Sequence, residues 1–405
     1  MSSIIQKIEA LKGPAERALE GLRTVHLDGG ERFELFNAGV KDDVVHFGLF
    51  PRDLLTTALM LREPTLLEET IRFCTHTIGE DRDPVTGEEP GRVLHEWNRV
   101  ERDGLLSHYN AAETSQLLLI AADVLDRLRP EVGGSALRER RNEIESAGDY
   151  VLSHIRDGLF LEDPSNCGAS RYFAMVTYWK DSHIPGGCEP DYPVAYTLVQ
   201  AQTVAALRSL ARLTTSLDLK WRPEELEGLA GKLAGSIWSR LWDRKLDYPL
   251  IALDRKKPVA GVSSDPLHML AYLEPGDIPL DRLAAIESAA VRLETEYGYR
   301  SYAPNQVDYA PDAYHFGAIW PYEQALIAEG ARRFGREDLF RKSVRILSAL
   351  ERLGFPEIVV FDGRKLCAGG CDVQLWTCAV PAAFARLVRG CAGLTGRDGA
   401  RLGAP

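Results

Sequence analysis

The chain has 405 residues, 45% of them hydrophobic and 26% charged, which is enough apolar material for a sizeable core. Its formal charge of −11 is spread without a long acidic block, which argues against nucleic acid or an anionic membrane surface as a partner. No run of about 18 apolar residues suggests a membrane span, and the amphipathic start MSSIIQKIEALKG lacks the apolar core of a signal peptide, so a cytoplasmic location is expected.

Apolar residues return at helical spacing in twelve segments: 4–22, 52–62, 64–78, 110–128, 136–155, 194–213, 223–241, 265–273, 280–293, 316–334, 336–353 and 372–390. Several follow their predecessors after short turns, as helical hairpins do. Many first members are rich in Ala and apolar nearly all round, whereas their partners are amphipathic and strongly charged. That contrast predicts inner helices wrapped by outer ones. Six such hairpins in a circle make an all-α fold, an (α/α)6 toroid, with one domain over 1–394 and a loose tail at 395–405. Strand signals are few: IVVFDG (358–363) and a weaker LDYPLIALD (246–254).

Seven cysteines (Cys74, Cys167, Cys188, Cys367, Cys371, Cys378 and Cys391) include no CxxC pair; the nearest approach is CAGGC at 367–371. A zinc site wants tighter pairing with His nearby. Free thiols in a reducing compartment are therefore expected, with no metal and no cofactor.

The unusual residues gather in the segments before the inner helices: HFGLFPRD (46–53), LHEWNRVERDGLLSHYNAAET (94–114), YWKDSHIPGGCEPDYP (178–193), GVSSDP (261–266), SYAPNQVDYAPDAYHFGAIWP (301–321) and FPEIVVFDG (355–363). Each mixes aromatic and polar residues. Sugars ask for such a mixture, because their C–H faces stack on rings and their hydroxyls need carboxylates, amides and guanidinium groups. A carbohydrate is thus the expected partner. Trp238 and Trp242, on a helix and at its end, read as packing residues. Cleaving a glycosidic bond takes two carboxyl groups, one protonated and one ionised. Asp181, after an apolar run and beside Trp179, suits the protonated one, since an apolar setting favours the neutral form.

The order of the motifs GRVLHEWNRVE, YNAAETSQLLL, YWKDSH, YPVAYTLVQAQTVAAL, AYHFGAIWPYEQALIAEGARRFG, FPEI and DVQLWTCAVPAAF resembles the amylo-α-1,6-glucosidase family, the catalytic domain of glycogen-debranching-type glucosidases among the six-hairpin glycosidases. The resemblance runs from about residue 45 to 390, with WKDS and YHFGAIWP its most specific parts. It implies an inverting hydrolase with Asp181 as general acid and Glu357 as general base. It further implies Arg52 and Asp53 as ligands of sugar hydroxyls, and His95, Glu96, Tyr109, Glu113, Trp179, Lys180, Gln200, Tyr314, His315 and Trp320 as substrate-binding residues. Pro51, Phe316 and Glu113 depart from the family's Gly, Asn and Asp and alter the expected sugar pocket. The large N-terminal β-rich domain of debranching enzymes has no counterpart among the residues before the FPRD loop, so small α-glucosides are expected in place of long glucans. Two other readings use the same residues. A sugar epimerase of the N-acylglucosamine type would exchange protons through His95 and His315, and a non-catalytic domain would bind sugar without turnover.

Overall fold

A computed structural model describes residues 2–394; the tail expected at 395–405 lies outside them. Its helices are α1 (Ser2–Gly21), α2 (Pro51–Leu61), α3 (Pro64–His76), α4 (Thr114–Leu128), α5 (Pro130–Glu139), α6 (Arg141–Ser153), α7 (Thr197–Leu217), α8 (Pro223–Arg240), α9 (Asp265–His268), α10 (Leu280–Ala290), α11 (Pro321–Arg333), α12 (Glu337–Ser343), α13 (Ile346–Leu353) and α14 (Leu375–Leu394). None of the described helices is long and apolar enough to cross a membrane.

Six of these helices pack as a closed cycle of neighbours: α2 on α4, α4 on α7, α7 on α9, α9 on α11, α11 on α14, and α14 back on α2. The others lie outside it. The helix α3 packs on α2, α5 and α6 on α4, α8 on α7, α10 on α9, α12 on α11, and α1 on both α13 and α14. Sequence explains the two layers. Sixteen of the 21 residues of α7 are buried, against six of the 18 of α8, so the first needs protein on all sides and the second on one stripe. Close approach within the inner layer is steric. A Cβ at Gly330 of α11 would sit 2.4 Å from the Cβ of Leu270, so a small residue is required there.

The twelve expected helical segments are all helical, with shifted ends. The helix expected from 316 starts at Pro321, which sits in the first turn where its missing N–H costs nothing, and Trp320 before it is extended (φ −97°, ψ 115°). The 136–155 and 336–353 segments are each broken into two helices, and 265–273 is a single α-turn continued by a 3-10 turn at Met269–Ala271. A strand pairing at Ile358–Phe361 with Leu366–Gly369 answers the 358–363 signal, and 246–254 yields Tyr248–Pro249 and Ala252–Leu253 in two separate small sheets. The hairpin Arg23–Asp28/Glu31–Phe36 had no strand expectation, although its residues alternate in exposure and a Gly29–Gly30 turn with positive φ joins them. A small sheet of Gly39–Lys41, Val44–Phe47 and Val373–Gln374 ties the start of α14 to the segment before α2.

Candidate active site

The chain brings Arg52 and Asp53 to the first turn of α2, His95 and Glu96 to the loop before α4, Trp179 and Asp181 to the loop before α7, Tyr314, His315 and Trp320 to the segment before α11, and Glu357 to the entry of the Ile358–Phe361 strand. These ten line one cavity of 320 Å³, at the lower end of the range for small-molecule sites. Gln374, Trp376, Phe47 and Phe50 complete the wall.

The loop carrying Asp181 is pinned by a residue that no motif singled out. The buried carboxylate of Asp265 accepts from the Tyr178 hydroxyl (3.2 Å) and the Trp179 indole N–H (3.0 Å), and pairs with Lys180 Nζ (3.0 Å). Three consecutive side chains thus turn inward on one anchor, which leaves Asp181 facing the cavity with its side chain 35% exposed. That exposure is to the cavity, and burial of the rest of the group raises the Asp181 carboxyl above its usual range; Arg52 opposes the rise through its Nη1, 3.1 Å from Asp181 Oδ2.

Glu357 is held differently. It accepts from the Tyr314 hydroxyl on Oε1 and from the Cys371 backbone N–H on Oε2 (2.9 Å), and the Cys371 thiol also donates to it. Burial raises its pKa, these donors favour the ionised form, and the charge of Asp181 pushes it up again. Gly370 lies against the carboxylate in the left-handed region (φ 69°), where a Cβ would come within 2.2 Å of Oε2. Only glycine fits that cradle.

Burial pushes Glu96 up to about 7, and its Oε1 accepts from the Ser107 hydroxyl, which opposes the rise. Asp53 is pushed well above the carboxylate range by burial, with Gln374 Nε2 donating to it at 2.8 Å. Burial and the nearby Arg52 hold the His95 imidazole down at about 3. Burial, with Lys180 adding to it, holds His315 well below its usual value. Four carboxyl groups and one guanidinium therefore share a small cavity, and their titrations are coupled.

Four expected ligands do not line it. Lys180 is turned away, on Asp265, the Ser264 hydroxyl and the Ser301 carbonyl. Glu113 lies beneath the floor, 2.6 Å from Arg52 Nε, where it fixes the guanidinium. Gln200 is spent on the Phe160 backbone N–H and carbonyl and on the Tyr196 carbonyl. Tyr109 donates to the Thr77 carbonyl (3.0 Å). Trp320 lines the wall but is only 1% exposed, with His315 stacked on it at 5.3 Å, so it offers little face to a ring. The more open aromatic surfaces are Phe47, Phe50 and Tyr314. Trp238 is buried and donates to the Asp277 carbonyl, while Trp242 packs under Arg282.

A family model described as the mannosylglycerate hydrolase MGH1-like glycoside hydrolase domain matches residues 92–359. Among solved structures, the chain is similar to a GH63 mannosylglycerate hydrolase from Thermus thermophilus in complex with Tris, with 17% identity and a TM-score of 0.64 over 93% of this chain and 100% of that one. The same hydrolase in complex with Tris and D-glycerate matches with 16% identity and a TM-score of 0.66 over the same shares. A GH78 rhamnosidase from Bacillus sp. GL1 matches at 15% identity and a TM-score of 0.55, over 83% of this chain and 31% of that one. A search of curated proteins finds no match. The matched family and the family that the motifs resemble are both glycoside hydrolases of the six-hairpin type.

Proposed function

Given that this chain belongs to the mannosylglycerate hydrolase MGH1-like family of glycoside hydrolase domains, we propose that it inverts the anomeric centre of small α-linked glycosides within an (α/α)6 toroid, with Asp181 as general acid and Glu357 as general base. One observation carries the assignment. The two carboxyl groups face the same cavity, and each is supported in the way its role needs. Asp181 is raised by burial, which keeps a proton available for the leaving oxygen, and Arg52 stands ready to stabilise the carboxylate that remains. Glu357 is fixed by donors that suit an anion, which directs it at a water on the opposite face of the sugar.

The water loses its proton to Glu357 as its oxygen bonds to the anomeric carbon. The glycosidic bond breaks with its electron pair on the leaving oxygen, which takes the proton of Asp181. Asp53, whose pKa burial raises, and Glu96 are placed to exchange hydrogen bonds with ring hydroxyls, while Phe47, Phe50 and Tyr314 offer apolar faces to the sugar. Arg52 serves Asp181 and Glu113 first, so its expected part as a sugar ligand becomes that of an electrostatic partner of the acid.

The cavity is of monosaccharide scale, and the related hydrolase is described in complexes with glucose and with D-glycerate. A hexose α-linked to a glycerate-sized group or to a second sugar is therefore the proposed substrate, ahead of the polymer of a debranching glucosidase. The epimerase reading loses ground because both candidate imidazoles are held neutral and their Nδ1 atoms are engaged, His95 by the Ser107 carbonyl and His315 by the Ser182 hydroxyl. The test is to offer mannosylglycerate, glucosylglycerate, trehalose and maltose to purified protein and follow the anomeric proton by NMR. First-formed β-sugar is expected; first-formed α-sugar overturns inversion, and no released sugar from any of them overturns the substrate class.

A further inference from the structure

A second cavity, of 370 Å³, lies at the opposite ends of the inner helices from the active site. It is lined by the later turns of α2, α4, α7 and α11, whereas the active site takes the first turn of α2 and the segment before α11. A narrow void of mixed lining, bordered among others by Arg52, Thr56, Leu117, Gln202, Tyr322 and Leu326, lies between the two. Five arginines border the basal cavity: Arg62, Arg127, Arg208, Arg212 and Arg333. Arg386 reaches the same cluster through Glu329.

The positive charges there outnumber their partners. Asp123 is shared by Arg127 (3.0 Å) and Arg212 (2.7 Å), and Glu329 by Arg62 (2.5 Å) and Arg386 (2.7 Å). Each shared carboxylate leaves one guanidinium charge over. Arg208 is matched by Asp277 at 2.6 Å with Glu227 farther off at 3.7 Å, and Arg333 stands 3.9 Å from Glu274. The crowding is felt by Arg62, which burial, and then the charges of Arg386, Arg127 and Arg333, push below the usual arginine range. Helix C-termini attract cations, and a single arginine on each helix would be enough for that. Arg62, Arg127 and Arg333 meet that need at the ends of α2, α4 and α11, but Arg208 and Arg212 lie mid-helix on α7, whose last turn holds no basic residue, so the convergence of all five on one cavity, in a chain of net charge −11, is more than end-capping requires.

We propose that this basal cavity binds a small multivalent oxyanion, a phosphate ester or a polycarboxylate, independently of the glycoside site. Planar guanidinium groups on several walls suit paired oxygens. The two cavities are lined by separate sets of residues, so the occupant does not touch the sugar.

The experiment is a thermal melt of the full chain in increasing inorganic phosphate or citrate, against sodium chloride at matched ionic strength. A saturable rise in Tm beyond the chloride control is expected with at least one probe, since a ligand of the folded state stabilises it. Response to phosphate alone assigns a phosphate ester, and response to citrate alone a polycarboxylate. In the double variant Arg127→Gln/Arg333→Gln the apparent Kd is expected to weaken at least tenfold, while glycosidase kcat/KM without the anion stays within a few-fold of wild type. Arg127 is 58% exposed at its side chain and Arg333 29%, so the fold does not rest on them. Equal rises in wild type and variant, or no rise beyond chloride, overturn the proposal and leave the arginines as caps and struts.

Discussion

Glu357 feels the charge of Asp181, yet the two are supported by opposite means, a deep setting with one guanidinium for Asp181 and three donors for Glu357. The variant Asp181→Asn should retain the fold and lose about 10²–10⁴-fold in kcat, the usual worth of a general acid. Activity within a few-fold of wild type would remove it from that role. Glu357→Gln should lose a comparable factor, with part restored by azide in place of the activated water; no rescue on any tested glycoside would count against the base assignment. Glu96 has a separate signature. Its folded pKa of about 7 lies above the ordinary value of 4.5, so the folded state holds an extra proton between those values. Stability is then largest below the unfolded value and falls as pH rises through about 7. Glu96→Gln removes that dependence. Relative to wild type it should gain at most about 2.5 kcal/mol between pH 5 and pH 8 for a shift of that size; urea melts at the two pH values decide it, and parallel changes in both proteins would refute it. The residues proposed as acid and base, and most of the wall, stood out in the sequence because their motifs carry unusual side chains. The places of Lys180, Glu113 and Gln200 were not legible, since a motif records both the residues that face a ligand and those that hold the loop, and only the fold separates them. Asp265 shows the converse: an ordinary-looking Asp in GVSSDP anchors three neighbours of the acid.

The strand and turn from 357 to 374 cradle the proposed base. Gly370→Ala puts a Cβ against Glu357 as well as straining a left-handed backbone, so both kcat and Tm should fall. Gly363→Ala strains the backbone in the same way (φ 95°) but meets no atom within 4 Å. It should lower Tm by less and leave kcat within a few-fold of wild type; equal activity losses in the two would show that backbone strain, not the clash, is responsible. Helices were readable as elements because apolar spacing marks buried faces whatever the partner. Their ends were less so: α11 begins only at Pro321, and the break between α5 and α6 falls at Arg140, where no proline marks it. The short strands escaped because most are two residues long, too brief for any alternation to register.

At the scale of the molecule, the cyclic packing order was implied by the alternation of wholly buried and one-sided helices, while the basal arginines were not foreseen, since they come from separate helices scattered along the chain. Because each inner helix has two inner neighbours, no cut leaves half the cycle complete. Limited proteolysis should therefore yield no pair of stable halves, and recovery of two folded fragments would contradict the single domain we propose. The cavity volume argues the same way about substrate. A disaccharide-sized glycoside should show a higher kcat/KM than a phosphorylase limit dextrin, and the reverse order would restore a debranching role.

The packing of α14 against both α1 and α2 has a consequence for synthesis. Domains emerge from the ribosome N-terminal end first. Arg52, Asp53, His95 and Asp181 appear early, but Glu357, its Gly370–Cys371 cradle, and the Gln374 and Trp376 wall arrive with the last of the described elements. From position 181 to position 357 a growing chain carries the proposed acid without the base. A chain ending between 357 and 374 holds both proposed catalytic carboxyl groups but not α14, so the wall, and with it the proposed site, is complete only when the cycle of helices closes.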